Sequence, residues 1–256
     1  MSAEIRAGGS NKITNDVILG LVKERITPGS RLLDFSAGQG HMSSRVGEYL
    51  LGQGVDPKDH LYACDISPEK FIYDRIECRK NTADSNIPFE DGYFDIIYAI
   101  EVVEHLPRPY DFFNEAYRKL KPGGHLIFSA PNMLHMQSRL KFFFTGFAEM
   151  FGPLSTEDKN AGRVCGHIMP LNYSHFHYGL KKARFRGIKL SIDRRKRSAK
   201  FLACLFYPLL RLGSKITDRD LEKYDREVWA ENREVVYKVN SFDVLTSRSC
   251  IIAAQK

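Results

Sequence analysis

The most informative segment of the chain is Leu32-Leu33-Asp34-Phe35-Ser36-Ala37-Gly38-Gln39-Gly40. An apolar run ends in a carboxylate, and the small residues Ser36, Gly38 and Gly40 permit a tight turn and a close approach of backbone to a ligand. A dinucleotide fingerprint would continue to a third glycine, which is missing here. Asp34 would repel a pyrophosphate, so the turn favours a ligand that carries a cationic amino group. An ordinary strand–turn–helix corner is the alternative interpretation.

Short apolar strands alternate with helical segments on both sides of this turn. The sequence predicts strands over Arg31–Phe35, Leu61–Ile66, Phe94–Ile100, His125–Ala130, Gly187–Ile192 and Ser249–Ala254. It predicts helices over Ile13–Ile26, His41–Leu51, Pro68–Lys80, Tyr110–Leu120, Tyr173–Arg184 and Asp218–Val239. This alternation is typical of βαβ units and a parallel sheet. Because ligands bind beyond the carboxyl ends of such strands, the residues that follow each strand are the candidate site.

Two further acids stand where strands or loops would meet a nucleoside. Asp65 ends the second apolar strand, where a carboxylate can accept both hydroxyls of a ribose. Asp84, in Ala83–Phe89, could accept a hydrogen bond from an adenine amino group. Either acid alone could be an ordinary loop residue. The order and spacing of Asp34, Asp65 and Asp84 together favour one nucleoside ligand.

Five stretches together resemble the class I S-adenosylmethionine-dependent methyltransferases. They are DFSAGQG (34–40), ACDIS (63–67), ADSNIPFEDGYFD (83–95), YAIEVVEHLPRP (98–109) and LKPGG (120–124). The resemblance covers residues 10–135, with Ser36 where the family usually has glycine. It implies an α/β fold with a Rossmann-like, seven-stranded, mostly parallel sheet, helices on both faces and an antiparallel C-terminal strand.

The resemblance also implies S-adenosylmethionine as cofactor and assigns residues to it. Its methionine moiety would lie at the first turn, its ribose at the second strand, its adenine at the following loop, and the remaining contacts after Phe94–Ile100. The residues so assigned are Asp34, Ser36, Gly38, Gly40, Asp65, Ile66, Asp84, Ser85, Ile100 and Glu101.

The segment Glu101-Val102-Val103-Glu104-His105 carries the candidate catalytic groups. If a helix starts here, Glu101, Glu104 and His105 share one face. The segment is similar to the ExxEH motif of ubiquinone-pathway O-methyltransferases and small-RNA 2′-O-methyltransferases, in which a further histidine lies downstream, where this chain has His167. These four residues are a candidate Mg²⁺ site that would polarise a substrate hydroxyl. The alternatives are His105, with Glu104, as a general base without metal, and a structural role.

Residues 181–200 hold ten basic residues and one acid, Asp193, in a chain of net charge +7. The remainder is therefore slightly acidic, which excludes a uniformly basic nucleic-acid coat. The apolar run Phe201–Leu210 follows and is too short to span a bilayer. Basic residues beside an apolar run suit an anionic membrane, which predicts peripheral contact through 194–213. A buried helix with solvated charges on its flank is the favoured alternative, and nucleic-acid binding is the third.

The 256 residues, 43% of them hydrophobic, exclude a disordered chain. Five scattered cysteines without a CxxC pair indicate a reducing compartment, and the first residues lack the apolar stretch of a signal peptide. We expect a cytoplasmic protein, soluble or membrane-peripheral. It would form one methyltransferase domain over 1–256, with a cofactor-binding half at 10–135, a lid or acceptor insertion at 132–180 and a basic, apolar insertion at 194–247.

The predicted function is methyl transfer from S-adenosylmethionine to a hydroxyl of a small-molecule, glycan or lipid-linked acceptor. Two alternatives remain open at this point. One is 2′-O-methylation of RNA ribose through the same EVVEH segment, and the other is a module that binds the cofactor without turnover.

Overall fold

The computed structural model describes residues 11–82, 85–157 and 166–256. The chain divides into two compact units. The first comprises the chain up to Ala130 together with Gly179–Ser191 and Ile251–Lys256, and the second comprises Pro131–Tyr178 and Ile192–Cys250. The second unit overlaps the predicted insertions at 132–180 and 194–247. A single methyltransferase domain over 1–256 stays a prediction.

A seven-stranded sheet forms the centre of the first unit. Its strands are β1 (Leu32–Phe35), β2 (Leu61–Asp65), β3 (Cys78–Lys80), β4 (Phe94–Ile100), β5 (Leu120–Pro131), β6 (Arg186–Ile192) and β7 (Ser249–Gln255). The order across the sheet is β3-β2-β1-β4-β5-β7-β6. The pairs β3–β2, β2–β1, β1–β4 and β4–β5 are parallel. The carboxyl ends of β1, β2, β3 and β4 therefore meet at one edge, where the candidate site was predicted.

The last strand runs against its neighbour. The amide of Gly123 donates to the carbonyl of Lys256, and the amide of Lys256 donates to the carbonyl of Gly124. Further along, the amide of Asn132 donates to Arg248, so residue numbers rise on β5 as they fall on β7. The predicted mostly parallel, seven-stranded sheet with an antiparallel C-terminal strand is confirmed.

Helices connect and cover the strands. They are α1 (Lys12–Lys23), α2 (His41–Gly52), α3 (Pro57–His60), α4 (Pro109–Lys119), α5 (Met136–Thr145), α6 (Tyr173–Lys182), α7 (Arg197–Tyr224), α8 (Arg226–Lys238) and α9 (Phe242–Thr246). The apolar faces of α1 and α2, which include Ile18 and Val46, pack on Leu32 and Ile96 of the sheet. This packing fixes the direction of the chain as it leaves β1.

Two helix predictions are wrong. The helix predicted over Pro68–Lys80 is a single 3₁₀ turn at Pro68–Lys70, and the segment ends as β3. The helix predicted over Asp218–Val239 is divided, because α7 continues to Tyr224 and α8 begins after Asp225. The carboxylate of Asp225 accepts the amide of Val228 and caps the second helix.

The second unit packs α7 against α5, α8 and α9. Its small apolar cluster contains Met136, Ala203 and Leu245. The favoured expectation that Phe201–Leu210 is buried is wrong, because Phe201, Leu205 and Leu209 are 71%, 61% and 65% exposed along one face of α7. Leu202, Phe206 and Leu210, on another face, pack against the cluster. Of the helices in the described ranges, none combines the length and apolarity needed to cross a membrane.

Candidate functional site

In the turn after β1, every second residue has a positive φ. Ser36, Gly38 and Gly40 have φ values of 64°, 54° and 86°. A non-glycine residue in this region costs about 1–2 kcal/mol, which explains why glycine would suit position 36. The amides of Ser36 and Ala37 both donate to the carbonyl of Cys64, so the turn is tied to the end of β2.

A cavity of about 440 Å³ opens at the carboxyl ends of the strands. Its volume lies within the range of small-molecule sites, about 300–1,000 Å³. Six of the twelve lining residues are apolar and six are polar. The lining residues are Phe35, Ser36, Asp65, Ile66, Asn81, Thr82, Ile100, Glu101, Val102, His105, Leu106 and Pro107. Six of them are predicted site residues, so the structure brings together side chains that lie up to seventy positions apart in the chain.

Asp65 is the best-defined polar group of this cavity. One carboxylate oxygen accepts the amide of Gly38 at 2.8 Å, and the other accepts the amide of Ser67 at 2.9 Å. The side chain is therefore fixed in place. A carboxylate offers about four lone-pair directions, so each oxygen retains the capacity to accept a hydroxyl of a ligand.

Asp34 lies beneath the turn and does not line this cavity. It is 3% exposed, and the hydroxyl of Ser43 donates to its carboxylate at 2.6 Å. Burial raises the pKa of Asp34 to about 7, and this hydrogen bond only partly opposes the shift. A cationic group placed beside Asp34 would restore its charge. The predicted role of Asp34 at an amino group stays a prediction.

Gly38 and Gly40 differ in what surrounds them. A Cβ on Gly38 would meet no atom within 4 Å, so the open space beside it could admit a ligand. A Cβ on Gly40 would come within 2.8 Å of the ring of Phe71 and 3.0 Å of Tyr73. Gly40 is therefore required by packing at the start of α2, whatever else it contacts.

The loop after β3 adds a residue that the sequence did not indicate. Asn81 lines the cavity and is 3% exposed, and among the described residues its side-chain oxygen has no hydrogen-bond partner. Ser85 is equally buried, has φ 71° and likewise has an unpartnered hydroxyl within the described ranges. Asp84 lies outside the described residues. Asn81 was missed because β3, which it follows, was predicted as helix.

The segment after β4 does not start a helix at Glu101. Glu101 has φ 53°, and its amide donates to the hydroxyl of Ser129 at 3.1 Å. A 3₁₀ turn then spans Val103–His105. The condition under which Glu101, Glu104 and His105 would share one helical face is not met, because Glu101 precedes the turn in a left-handed conformation. Strained backbone of this kind clusters at functional sites, and Ser36, Ser85 and Glu101 all show it here.

Glu104 and His105 occupy different environments. Glu104 is 2% exposed, and burial raises its pKa well above the usual range, with a further contribution from the nearby charge of Glu101. His105 is exposed and lines the cavity. An accessible imidazole beside a cavity is a candidate for proton transfer, and the catalytic roles of His105 and Glu104 stay predictions.

His167 belongs to the second unit and is 8% exposed. Its Nδ1 lies 3.0 Å from the carbonyl oxygen of Met150, and its ring packs against Phe151. A carbonyl can only accept, so Nδ1 is the donor in this contact. Metal-binding histidines commonly have this arrangement. A metal bound by Glu101, Glu104, His105 and His167 stays a prediction.

Residues 33–128 match the model of a family described as a methyltransferase domain. In sequence, the chain is 33% identical to the sterol 24-C-methyltransferase of Schizosaccharomyces pombe over 102 residues, covering 39% of this chain and 27% of that protein. It is 31% identical to the ubiquinone biosynthesis O-methyltransferase of Shewanella pealeana over 111 residues, covering 41% and 44%. The match thus spans less than half the length of either relative.

In structure, the chain is similar to a SAM-dependent methyltransferase from Archaeoglobus fulgidus, with a TM-score of 0.54 and 17% identity over 94% of both chains. At this identity the similarity establishes the fold alone. The predicted resemblance to the S-adenosylmethionine-dependent methyltransferases is confirmed, and it is concentrated in the first unit.

Proposed function

We propose, on the premise that residues 33–128 form a methyltransferase domain, that the chain transfers a methyl group from S-adenosylmethionine to a hydroxyl of an acceptor. The observation that carries the proposal is the cavity at the carboxyl ends of β1, β2 and β4, into which Asp65 presents a fixed carboxylate. This is the place where α/β sheets bind ligands.

The residues of the cavity fit a sulfonium nucleoside. Asp65 can accept the hydroxyls of a ribose, and the unpartnered oxygen of Asn81 can accept a hydrogen bond from an amino group. Ile66 is 55% exposed at the cavity, where a flat aromatic ring would cover it. Phe35, Ile100 and other apolar residues would exclude water from the remainder.

The cofactor, when bound, would supply an electrophilic methyl group. The chain's own residues then have two tasks, which are to position the acceptor hydroxyl in line with that methyl group and to take up its proton. Positioning contributes much of the rate of such displacements. His105, which is exposed at the cavity, is the proposed proton acceptor, and Glu104 lies beside it in the chain as the predicted second catalytic group.

A divalent cation such as Mg²⁺ is a second component of the proposal. Glu101 and Glu104 are close enough for the charge of one to raise the pKa of the other, and a cation would relieve this repulsion. The orientation of His167 described above is compatible with a ligand role. Activity that persists in EDTA, together with full activity of Glu101→Gln, would remove the metal and leave His105 as the base.

The acceptor class rests on the relatives. Their names describe a sterol methyltransferase and an O-methyltransferase of ubiquinone biosynthesis, which supports a small-molecule or lipid-linked acceptor. A glycan acceptor, which the sequence analysis also allowed, stays part of the proposal. Because one of these relatives is an oxygen methyltransferase and the other a carbon methyltransferase, the hydroxyl acceptor depends on the proposed base rather than on similarity.

The proposal is tested with S-adenosylmethionine that carries a labelled methyl group. The chain is incubated with separated lipid, small polar metabolite, glycan and RNA fractions, beside Asp65→Ala and the exposed-acid control Asp59→Asn. Label should enter a lipid, metabolite or glycan fraction with the unaltered chain and with Asp59→Asn only. Label in RNA would favour the ribose alternative. Cofactor binding without transfer to any fraction would favour a module without turnover.

A further inference from the structure

We propose that α7 docks the protein on an anionic lipid surface through one exposed apolar face. This goes beyond the proposed methyl transfer and does not depend on it. It takes up the peripheral membrane contact predicted through 194–213, because the apolar residues that the alternative placed in the interior lie on the outside of the second unit.

The apolar stripe of α7 consists of Phe201, Leu205, Leu209, Leu212 and Ile216. Their spacing of three or four residues places them along one side of the helix. Between 51% and 71% of each side chain is exposed. The small residues Ala199, Ala203 and Ser214 are buried on another side of the same helix. One face of α7 therefore packs against the rest of the second unit. A second, apolar face is exposed to solvent over about 23 Å of helix.

Basic residues border this stripe. The sequence from Arg194 to Thr217 contains seven lysines and arginines and no aspartate or glutamate. Two of the seven are held by ion pairs, Arg195 with Asp243 and Lys196 with Glu149.

Three of the other cations are available to a ligand. Arg197, Lys200 and Lys215 are exposed, and within residues 11–82, 85–157 and 166–256 no carboxylate lies within ion-pair distance of them. At 100° per residue they fall on one flank of the apolar stripe. A stripe of this width with a basic flank is the arrangement of helices that lie in the plane of an anionic membrane.

The charge pattern of the stripe and its flank fits a lipid surface. From Arg194 to Thr217 the chain carries no acid, and Arg197, Lys200 and Lys215 are exposed along the flank. An anionic bilayer supplies an apolar layer beneath a layer of negative headgroups, which matches both parts of the α7 surface. The same unit also exposes Phe143 and Phe144 of α5, 79% and 77% respectively, and phenylalanine is among the residues that interfacial helices insert into the membrane.

The test is flotation of the full chain with phosphatidylcholine vesicles that contain or lack phosphatidylglycerol. Binding should require the anionic lipid and weaken at high salt. The double variant Leu205→Gln/Leu209→Gln should bind at least about tenfold more weakly, because both side chains would enter the apolar layer. Both are already exposed, so the fold should tolerate the change. Leu51→Gln, at an exposed leucine of the first unit, is the matched control and should bind normally.

The charge contribution is measured separately. Lys200→Gln and Lys215→Gln should each weaken binding about fivefold on anionic vesicles, since each cation near such a surface contributes about that factor. Lys70→Gln removes an exposed lysine of the first unit and should have no effect.

Three results would overturn the proposal. They are binding that ignores phosphatidylglycerol, unaltered binding of Leu205→Gln/Leu209→Gln, and light scattering that shows a dimer dissociating to a monomer in that double variant, which would assign the stripe to a second copy. Titration with S-adenosylhomocysteine is done on every variant. Loss of vesicle binding with normal titration would support docking, whereas absent titration in the unaltered chain would remove the proposed reaction without affecting the docking result.

Discussion

Asp65→Ala should abolish most cofactor affinity while leaving the fold in place. Asp65 lines the cavity and is held by two backbone amides, at 2.8 Å from Gly38 and 2.9 Å from Ser67. A ligand ribose would add two hydroxyl donors to the same carboxylate. Hydrogen bonds to charged groups contribute about 1.5–3 kcal/mol each. Loss of two such bonds therefore costs at least about 3 kcal/mol, or roughly a 150-fold increase in Kd.

The isosteric variant Asp65→Asn separates the contribution of the charge to cofactor affinity from that of the hydrogen bonds. Asp65→Asn keeps one acceptor oxygen and loses the charge, so its Kd should lie between those of the original chain and Asp65→Ala, at an increase of about tenfold. Both variants leave at least one of the two amides without its acceptor, which costs about 1–3 kcal/mol of unfolding free energy. A denaturation curve for each variant separates this loss from the loss of affinity.

Isothermal titration with S-adenosylhomocysteine measures these affinities. Asp59→Asn, at an exposed acid before β2, should bind like the unaltered chain. The reasoning is refuted if Asp65→Ala remains folded and binds within about twofold of the unaltered chain, because the carboxylate would then contribute less than one neutral hydrogen bond.

Three further predictions concern Asp34, Gly40 and His105. Because burial raises the pKa of Asp34 from 3.8 to about 7, the folded chain binds more protons than the unfolded chain between these pH values. The free energy of unfolding therefore falls by up to about 4 kcal/mol as the pH rises through them. Asp34→Asn should raise the melting temperature at pH 8 and not at pH 4, and equal shifts at both pH values would contradict this. Gly40→Ala should lower the free energy of unfolding in urea by about 2–4 kcal/mol, because Gly40 has φ 86° and a Cβ there would press on Phe71. Gly52→Ala, at the end of the same helix, should be neutral or mildly stabilising. Equal effects of the two substitutions would be inconsistent with the packing at Gly40. His105→Gln should lower methyl transfer about a hundredfold or more with little change in cofactor Kd, and an unaltered rate would exclude His105 as the base.

The sequence predicted those site residues whose positions follow from the geometry of a parallel sheet. Parallel strands end at one edge, so Asp65 and Glu101, each placed directly after an apolar run, could be brought together without coordinates. The ladders that join β2, β1 and β4 explain why this worked, since their register fixes the relative heights of these residues.

Short and edge elements could not be predicted in this way. β3 has three residues, of which two are exposed, so it carries no alternation that periodicity could detect. Its loss hid Asn81. The left-handed conformation of Glu101 was also invisible, because it depends on the hydrogen bond from its amide to Ser129 on a neighbouring strand.

Burial was the least predictable property. The composition of Phe201–Leu210 suits a buried helix and an exposed amphipathic helix equally well. Whether a second apolar face is covered depends on the neighbouring elements, and the neighbours of α7 cover only one side of it. The pattern of apolar residues indicates which side chains lie together on a helix, whereas the packing decides which of them meet water.

A crystal structure of the full chain with S-adenosylhomocysteine would locate the cofactor. The ribose hydroxyls should lie within hydrogen-bond distance of the Asp65 carboxylate, and the adenine should lie against Ile66 and near Asn81. A ligand bound elsewhere on the chain, or a ribose turned away from Asp65, would contradict this placement.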